Sequence, residues 1–278
     1  MTLSVLILDR EPPQVLARCL ASLDQLSSKH LVEVTVFRQE RCESLGQARA
    51  RAAAGAKGEF LVLLNPRYRV VSEWATAMLE AHAAGAAVVG GPVCPLEGLH
   101  HGFDCRRAIY LWEYVQTAPP IEAGEVAPGQ AHLLPGGNTS YRTELLNRYG
   151  FARYGSEMEI HSAMAAAGVR ICRNPVAVAV VESPEAIVCA RELFRDAREY
   201  SAAKSGNFGA RAGQALARVI LLPGWLFLKG VVRVFRRPEY RSWLLASLPW
   251  FALFSLIRTA GEVAGYVHPP GRTKPSVA

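Results

Sequence analysis

The apolar run Phe60-Leu61-Val62-Leu63-Leu64 ends on Asn65-Pro66-Arg67, which places an amide and a guanidinium at the end of a buried strand. Open α/β sheets build ligand crevices at the carboxyl ends of such strands. A guanidinium there can stabilise oxyanion charge through paired hydrogen bonds. Further along, Ser156-Glu157-Met158-Glu159-Ile160-His161 gathers two acids and a histidine at the start of a helical segment. A carboxylate can take the proton of a hydroxyl held within hydrogen-bond reach. The same residues also have a structural use. Ser156 and Glu159 have capping-box spacing, and Glu157 suits the helix N-terminal dipole. His161, one turn after Glu157, either touches a ligand or packs inside. Gly136-Gly137 lets the backbone approach a ligand or turn with positive φ. Asn138 next to it either orients hydroxyls or completes that turn. Asp9 and Glu11 stand where the first apolar strand ends.

These groups need a frame. Residues 4–8 form an apolar strand, and Pro12-Pro13 opens a helix in the favoured first-turn position. Val15, Leu16, Cys19, Leu20, Leu23 and Leu26 fall on one face of it. Residues 32–37 are a β-branched strand. An Ala-rich helix from Ala48 and the strand at 60–64 complete a β-α-β-α-β run, which implies parallel strands joined by right-handed crossovers. Ser72 is expected to cap a helix running through Trp74 to Gly85, before a strand at 86–90. Residues 91–135 form a long Pro-, Gly- and His-rich region around an ambiguous segment at 109–115. Helices at 143–149 and 157–167 and a strand at 176–181 follow. The globular part is expected to end near residue 190.

Composition bounds the partners. A chain of 278 residues that is 50% hydrophobic can bury one substantial core plus an appendage. Its charge of +7 is uneven: residues 191–278 carry 14 Lys and Arg against 5 Asp and Glu. A nearly neutral body with a basic, apolar tail suits an anionic membrane surface, and no nucleic-acid-binding motif accompanies the charge. The six cysteines lack C-x-x-C or zinc spacing, which implies reduced thiols in a cytosolic setting. The amino terminus has no basic leader and reaches Asp9 too early for a signal peptide, so the main domain is expected in the cytoplasm.

Taken in order, several segments resemble family 2 glycosyltransferases over roughly residues 3–185. Ser4-Val5-Leu6-Ile7 is similar to the family's opening strand, followed here by Leu8-Asp9-Arg10-Glu11. Ala48-Arg49-Ala50-Arg51-Ala52 keeps the arginine of its Ala-Arg-Asn-x-Gly helix start. Ala56-Lys57-Gly58-Glu59-Phe60 resembles the entry to its metal-binding strand. Gly136-Gly137-Asn138-Thr139-Ser140-Tyr141-Arg142 looks like its acceptor-side signature, and Glu157 occupies the place of its catalytic aspartate. The resemblance implies a GT-A-like three-layer α/β/α domain with a mostly parallel sheet over residues 1–190. It further implies inverting transfer of a sugar from a nucleotide sugar, with Glu157 as base and Glu159 the alternative. Asp9, Arg38, Arg49, Asn65 and Arg67 would then lie on the donor side, and Gly137, Asn138 and His161 on the acceptor side. Magnesium or manganese is expected from the family. However, its metal-binding acids correspond to Asn65 and Arg67, and its uracil-contacting acid to Arg38. We therefore expect Arg67, with Arg38 or Arg49, to take over some or all of the metal's role.

The tail, residues 191–278, holds two apolar stretches, 219–228 and 243–257, each short of the roughly 20 residues that cross a bilayer. We expect helices lying in or dipping into the cytoplasmic leaflet of the inner membrane. Tilted spans and a soluble helical hairpin packed on the catalytic domain are the alternatives. The acceptor would be a saccharide or a polyprenyl-linked one. No Gln-x-x-Arg-Trp segment of processive relatives occurs, which favours single additions. The rival reading is a non-catalytic GT-A-like protein that binds a glycan, a nucleotide or a partner at the membrane.

Overall fold

A computed structural model describes residues 1–26, 30–40, 43–96, 105–115, 121–153, 157–204 and 208–267. The chain divides into two compact units, Met1–Leu96 with Gln116–Glu182, and Glu97–Val115 with Ser183–Ala278. The second unit thus begins ahead of the boundary expected at 190 and takes in the segment at 109–115.

The first unit opens with β1 (Leu3–Leu8), α1 (Pro13–Asp24), β2 (Leu31–Phe37), α2 (Leu45–Ala54) and β3 (Phe60–Leu64). β1 pairs in parallel with both β2 and β3, as the β-α-β-α-β pattern requires. Local chemistry sets the boundaries. Pro13 starts α1. α2 starts on a capping box, in which Ser44 Oγ accepts from the Gln47 N–H and the Gln47 side chain accepts from the Ser44 N–H. All five residues of β3 are buried, which explains the unbroken apolar run.

β4 (Tyr68–Val70), α3 (Trp74–Ala83), β5 (Val88–Gly90) and β6 (Val93–Pro95) follow. Glu73, not Ser72, holds the N-cap position of α3, and no side chain caps it. After α4 (Cys105–Tyr114) of the second unit come β7 (Gly124–Glu125), β8 (Asn138–Arg142), α5 (Thr143–Tyr149), α6 (Glu157–Ala166), β9 (Ile171–Arg173) and β10 (Ala179–Val181). The main sheet runs β2-β1-β3-β8-β5-β9-β7, and a small sheet runs β4-β10-β6. β8 lies antiparallel between β3 and β5, with Asn138 opposite Leu64. That register brings Gly136-Gly137, just before β8, over the end of β3. Beneath it, Leu6, Phe37, Leu61, Leu63, Tyr141 and Ile160 share one buried cluster. Each large apolar side chain so buried stabilises the fold by about 2 kcal/mol.

The second unit is helical: α4, then α7 (Ala186–Lys204), α8 (Phe208–Phe235), a 3-10 turn at Pro238–Tyr240 and α9 (Arg241–Val267). The two apolar stretches of the tail are parts of longer helices, because α8 runs through Pro223 and α9 through Pro249. An interior proline removes one helical hydrogen bond and clashes with the preceding turn, yet both helices continue through it. Among the described residues, one helix, Pro238–Val267, is long and apolar enough to cross a membrane, with 39% of its most apolar window buried. α9 meets α7 through two glycines. A Cβ on Gly261 would stand 2.3 Å from the Phe194 carbonyl oxygen, and one on Gly265 would stand 2.0 Å from Ser201 Oγ. On α4, Trp112 packs edge-on against Phe251 and Phe254 of α9.

Candidate active site

The carboxyl ends of β1, β2 and β3 and the chain before β8 surround a cavity of about 260 Å3. Leu6, Leu8, Phe37, Leu63, Leu64 and Pro66 form its apolar wall. Its polar lining comes from Arg49 of α2, Asn65 after β3, Gly136-Gly137 and Glu157, the first residue of α6.

Backbone contacts fix this arrangement. The Asn65 N–H donates to the Gly137 carbonyl at 2.9 Å, tying the end of β3 to the glycine turn. Gly137 has φ 76°, and a Cβ there would stand 2.7 Å from Asn65 Cβ, so only glycine fits. Glu157 then joins the segments. Its Oε1 accepts from Arg49 Nη2 at 2.5 Å, and its Oε2 accepts from the Gly137 N–H at 3.0 Å. The glutamate side chain is 8% exposed and the arginine 17%. Behind Asn65, the thiol of Cys19, pushed up to about 12 by burial, faces the Asn65 carbonyl at 3.9 Å. Tyr68 donates its hydroxyl proton to the Gly136 carbonyl at 3.2 Å.

Glu157, Arg49, Asn65 and Gly137 of the expected site residues meet at this cavity. The remaining donor-side residues pair with acids nearby. Arg67 does not line the cavity; its Nη2 lies 2.8 Å from Glu11 Oε1, with both side chains largely buried. Its N–H donates to Asn65 Oδ1 at 3.0 Å. Arg38, largely exposed, pairs through Nε with Asp9 at 2.5 Å. All three arginines named for the donor side therefore already face a carboxylate.

Two acceptor-side expectations need correction. Asn138 is fully buried, and its amide binds within the fold. Nδ2 donates to the Pro92 and Ala177 carbonyls, and Oδ1 accepts from Trp74 Nε1. The side chain is a structural bridge and presents nothing to a sugar. His161 is 1% exposed, stacks on Tyr141 and shares a 2.7 Å hydrogen bond with its hydroxyl. Burial pulls His161 down to about 4, so it is a neutral core histidine. Glu159 lies on the exposed face of α6. The capping box at Ser156 falls outside the described residues.

The residues at the end of β3 do not fit a divalent cation. Hard cations take several oxygen ligands, carboxylates foremost. Here the strand delivers an amide and a guanidinium, and of the acids near them Glu11 is engaged by Arg67 and Glu157 by Arg49. Among the described residues no cluster of three or more His, Cys, Asp or Glu could hold a metal ion.

No protein-family model matches the chain, and no curated protein matches it. Solved structures do. The mannosyltransferase PcManGT from Pyrobaculum calidifontis, solved with GDP-Man and Mn2+, matches 92% of this chain and 86% of its own at 13% identity and a TM-score of 0.51. The fold is GT-A-like. S. aureus TarS 1-349 matches 95% of this chain and 90% of its own at 17% identity and TM-score 0.49. GalNAc-T7 with UDP, GalNAc and Mn2+ matches 65% of this chain at 18% identity and TM-score 0.46, and the match spans 44% of that protein. At these identities the likeness is one of fold.

Sequence reasoning missed two features of this GT-A-like site. Arg49 and Glu157 are partners across 108 positions, a contact with no local signal. Glu11 is the counter-charge of Arg67; its proximity follows once β1 and β3 are recognised as adjacent parallel strands that end together.

Proposed function

We propose that the protein transfers a sugar, with inversion, from a nucleotide-sugar donor to a saccharide or lipid-linked acceptor at the cytoplasmic membrane face. Glu157 is the base that takes the acceptor hydroxyl's proton. The observation that carries this reading is the hold on Glu157: Arg49 and the Gly137 N–H aim its carboxylate at the cavity beyond β3. A general base must be positioned within reach of the attacking hydroxyl, and a carboxylate fixed from two sides is positioned. The leaving diphosphate carries charge that needs compensation. Arg49, which lines the cavity, supplies it while sharing its guanidinium with Glu157, and Arg67 adds to it where a bound donor draws it from Glu11. The fold, shared with a mannosyltransferase, supports a nucleotide-sugar donor. Resemblance to family 2 glycosyltransferases supports Glu157 as the base, whereas the donor-side arginines depart from that family's metal-binding acids.

The second reading, a GT-A-like binding protein without catalysis, is favoured by the saturation of the same groups, since Glu157, Arg49 and Arg67 already satisfy one another and Glu11. Calorimetry with UDP-, GDP- and dTDP-sugars, followed by product analysis, separates the two. The enzyme reading expects heat with one donor class and turnover that Glu157→Gln abolishes. Heat without turnover supports the binding protein, and no heat with any donor removes the sugar-transfer reading.

A further inference from the structure

From Leu221 onward, α8 presents Leu221, Trp225, Leu228, Val232 and Phe235 to solvent, with exposures of 69, 61, 56, 38 and 59%. Alternating steps of four and three residues put these side chains on one stripe of the helix. The opposite side is packed: Val234 is fully buried, and Gly230 lies against Trp112 and Phe251. The stripe is thus apolar surface beyond what the fold of this unit uses, on a helix of 28 residues.

Charge identifies the occupant. Between Leu221 and Arg241 the chain has five basic residues, Lys229, Arg233, Arg236, Arg237 and Arg241, and one acid, Glu239. Arg241 sits over the Phe235 ring at 4.7 Å and donates to the Phe235 carbonyl at 2.8 Å, so a cation marks the end of the stripe. A second copy of this chain would bring like charges together. An anionic lipid surface accepts both features, acyl chains meeting the stripe and headgroups meeting the cations.

We propose that α8 seats the protein on an anionic bilayer with its axis in the membrane plane, and that α8 and α9 do not cross it. This specifies the membrane part of the reading above, and its test needs no donor, so it stands or falls apart from sugar transfer. Two observations argue against crossing. The carboxyl half of α9 is covered by α7 at Gly261 and Gly265, and α7 exposes Arg191, Arg195 and Asp196. Arg233, Arg236, Arg237 and Arg241 surround the turn between α8 and α9. A spanning hairpin would carry all four through the hydrocarbon.

The test is flotation of the purified full-length protein with phosphatidylcholine vesicles, with and without phosphatidylglycerol. Binding is expected only to the anionic vesicles, weakened by high salt and fully released by alkaline carbonate. Trp225 fluorescence should shift to the blue on binding. Lys229→Gln with Arg236→Gln should weaken binding about 30-fold, each charge near such a surface contributing about one power of five. Leu221→Ser with Leu228→Ser should abolish it, with circular dichroism unchanged. Equal binding to neutral vesicles, carbonate-resistant insertion, or a dimer that the leucine variants dissociate would each overturn the proposal.

Discussion

Arg49 on α2 and Glu157 on α6 meet at 2.5 Å on the wall of the cavity. With the glutamate nearly buried, the pair is a structural cross-link at the cavity proposed as the active site. Removing one partner of a buried pair strands the other charge. Arg49→Gln should therefore cost about 2 kcal/mol in chemical denaturation, discounted because Arg49 keeps some solvent contact. The double variant Arg49→Gln/Glu157→Gln should recover part of that loss. Additive losses would show that the two side chains do not interact.

Glu157→Gln removes the proposed base and, with it, the charge that pairs with Arg49. The amide keeps the shape and an oxygen for the Gly137 N–H but cannot take a proton. Transfer should fall by about 100-fold to 10,000-fold, the contribution of a positioned base, while donor affinity changes little. Steady-state kinetics beside calorimetry reads both, and an unchanged rate removes Glu157 from the chemistry.

Asn65 and Arg67 at the end of β3 lead us to expect a transfer that survives excess chelator. Complete loss with rescue by manganese would reject guanidinium replacement of the metal. Arg67→Gln should weaken donor binding at least tenfold, because a charge-assisted hydrogen bond contributes about 1.5–3 kcal/mol.

Gly137→Ala forces a Cβ into Asn65 and asks a non-glycine residue to hold φ 76°. We expect a loss of about 1–3 kcal/mol, seen as a lowered melting temperature, together with weaker donor binding because Asn65 must shift. Stability lost with binding intact would separate the turn from the ligand site.

Burial holds both His82 and His161 near 4, against 6.5 for an ordinary histidine. The unfolded chain binds these protons more readily than the native protein, so stability is full above about pH 6.5 and falls as pH drops toward 4. Each histidine should remove about 2 kcal/mol between pH 7 and pH 5. Urea midpoints across that range read the slope, and His82→Gln or His161→Gln should each flatten it. A slope unaffected by either variant would place the titrating groups elsewhere.

The parts of this fold that a linear reading recovers are those with a long pattern. β3 is legible because all five of its residues are buried, and α1 because its apolar face repeats over three turns. β4, β6 and β9, each three residues long, carry no periodicity and went unseen. The apolar stretches at 219–228 and 243–257 looked too short to span a bilayer, yet each lies within a longer helix that contains a proline. Glu157, Arg49 and Asn65, which line one cavity in the structure, were named from ordered motifs. For Asn138 and His161 the sequence left a ligand role and a structural one both open, because a polar side chain looks the same in sequence whether it faces a ligand or a buried partner; the structure buries both.

Asn138 also has a mechanical consequence. Its one amide links the carbonyls before β6 and before β10 to Trp74, while its backbone lies beside the end of β3. A push on the small sheet is therefore felt within one residue of the Gly137 turn. Loops grafted onto that sheet would reshape the cavity from outside without altering any residue that lines it.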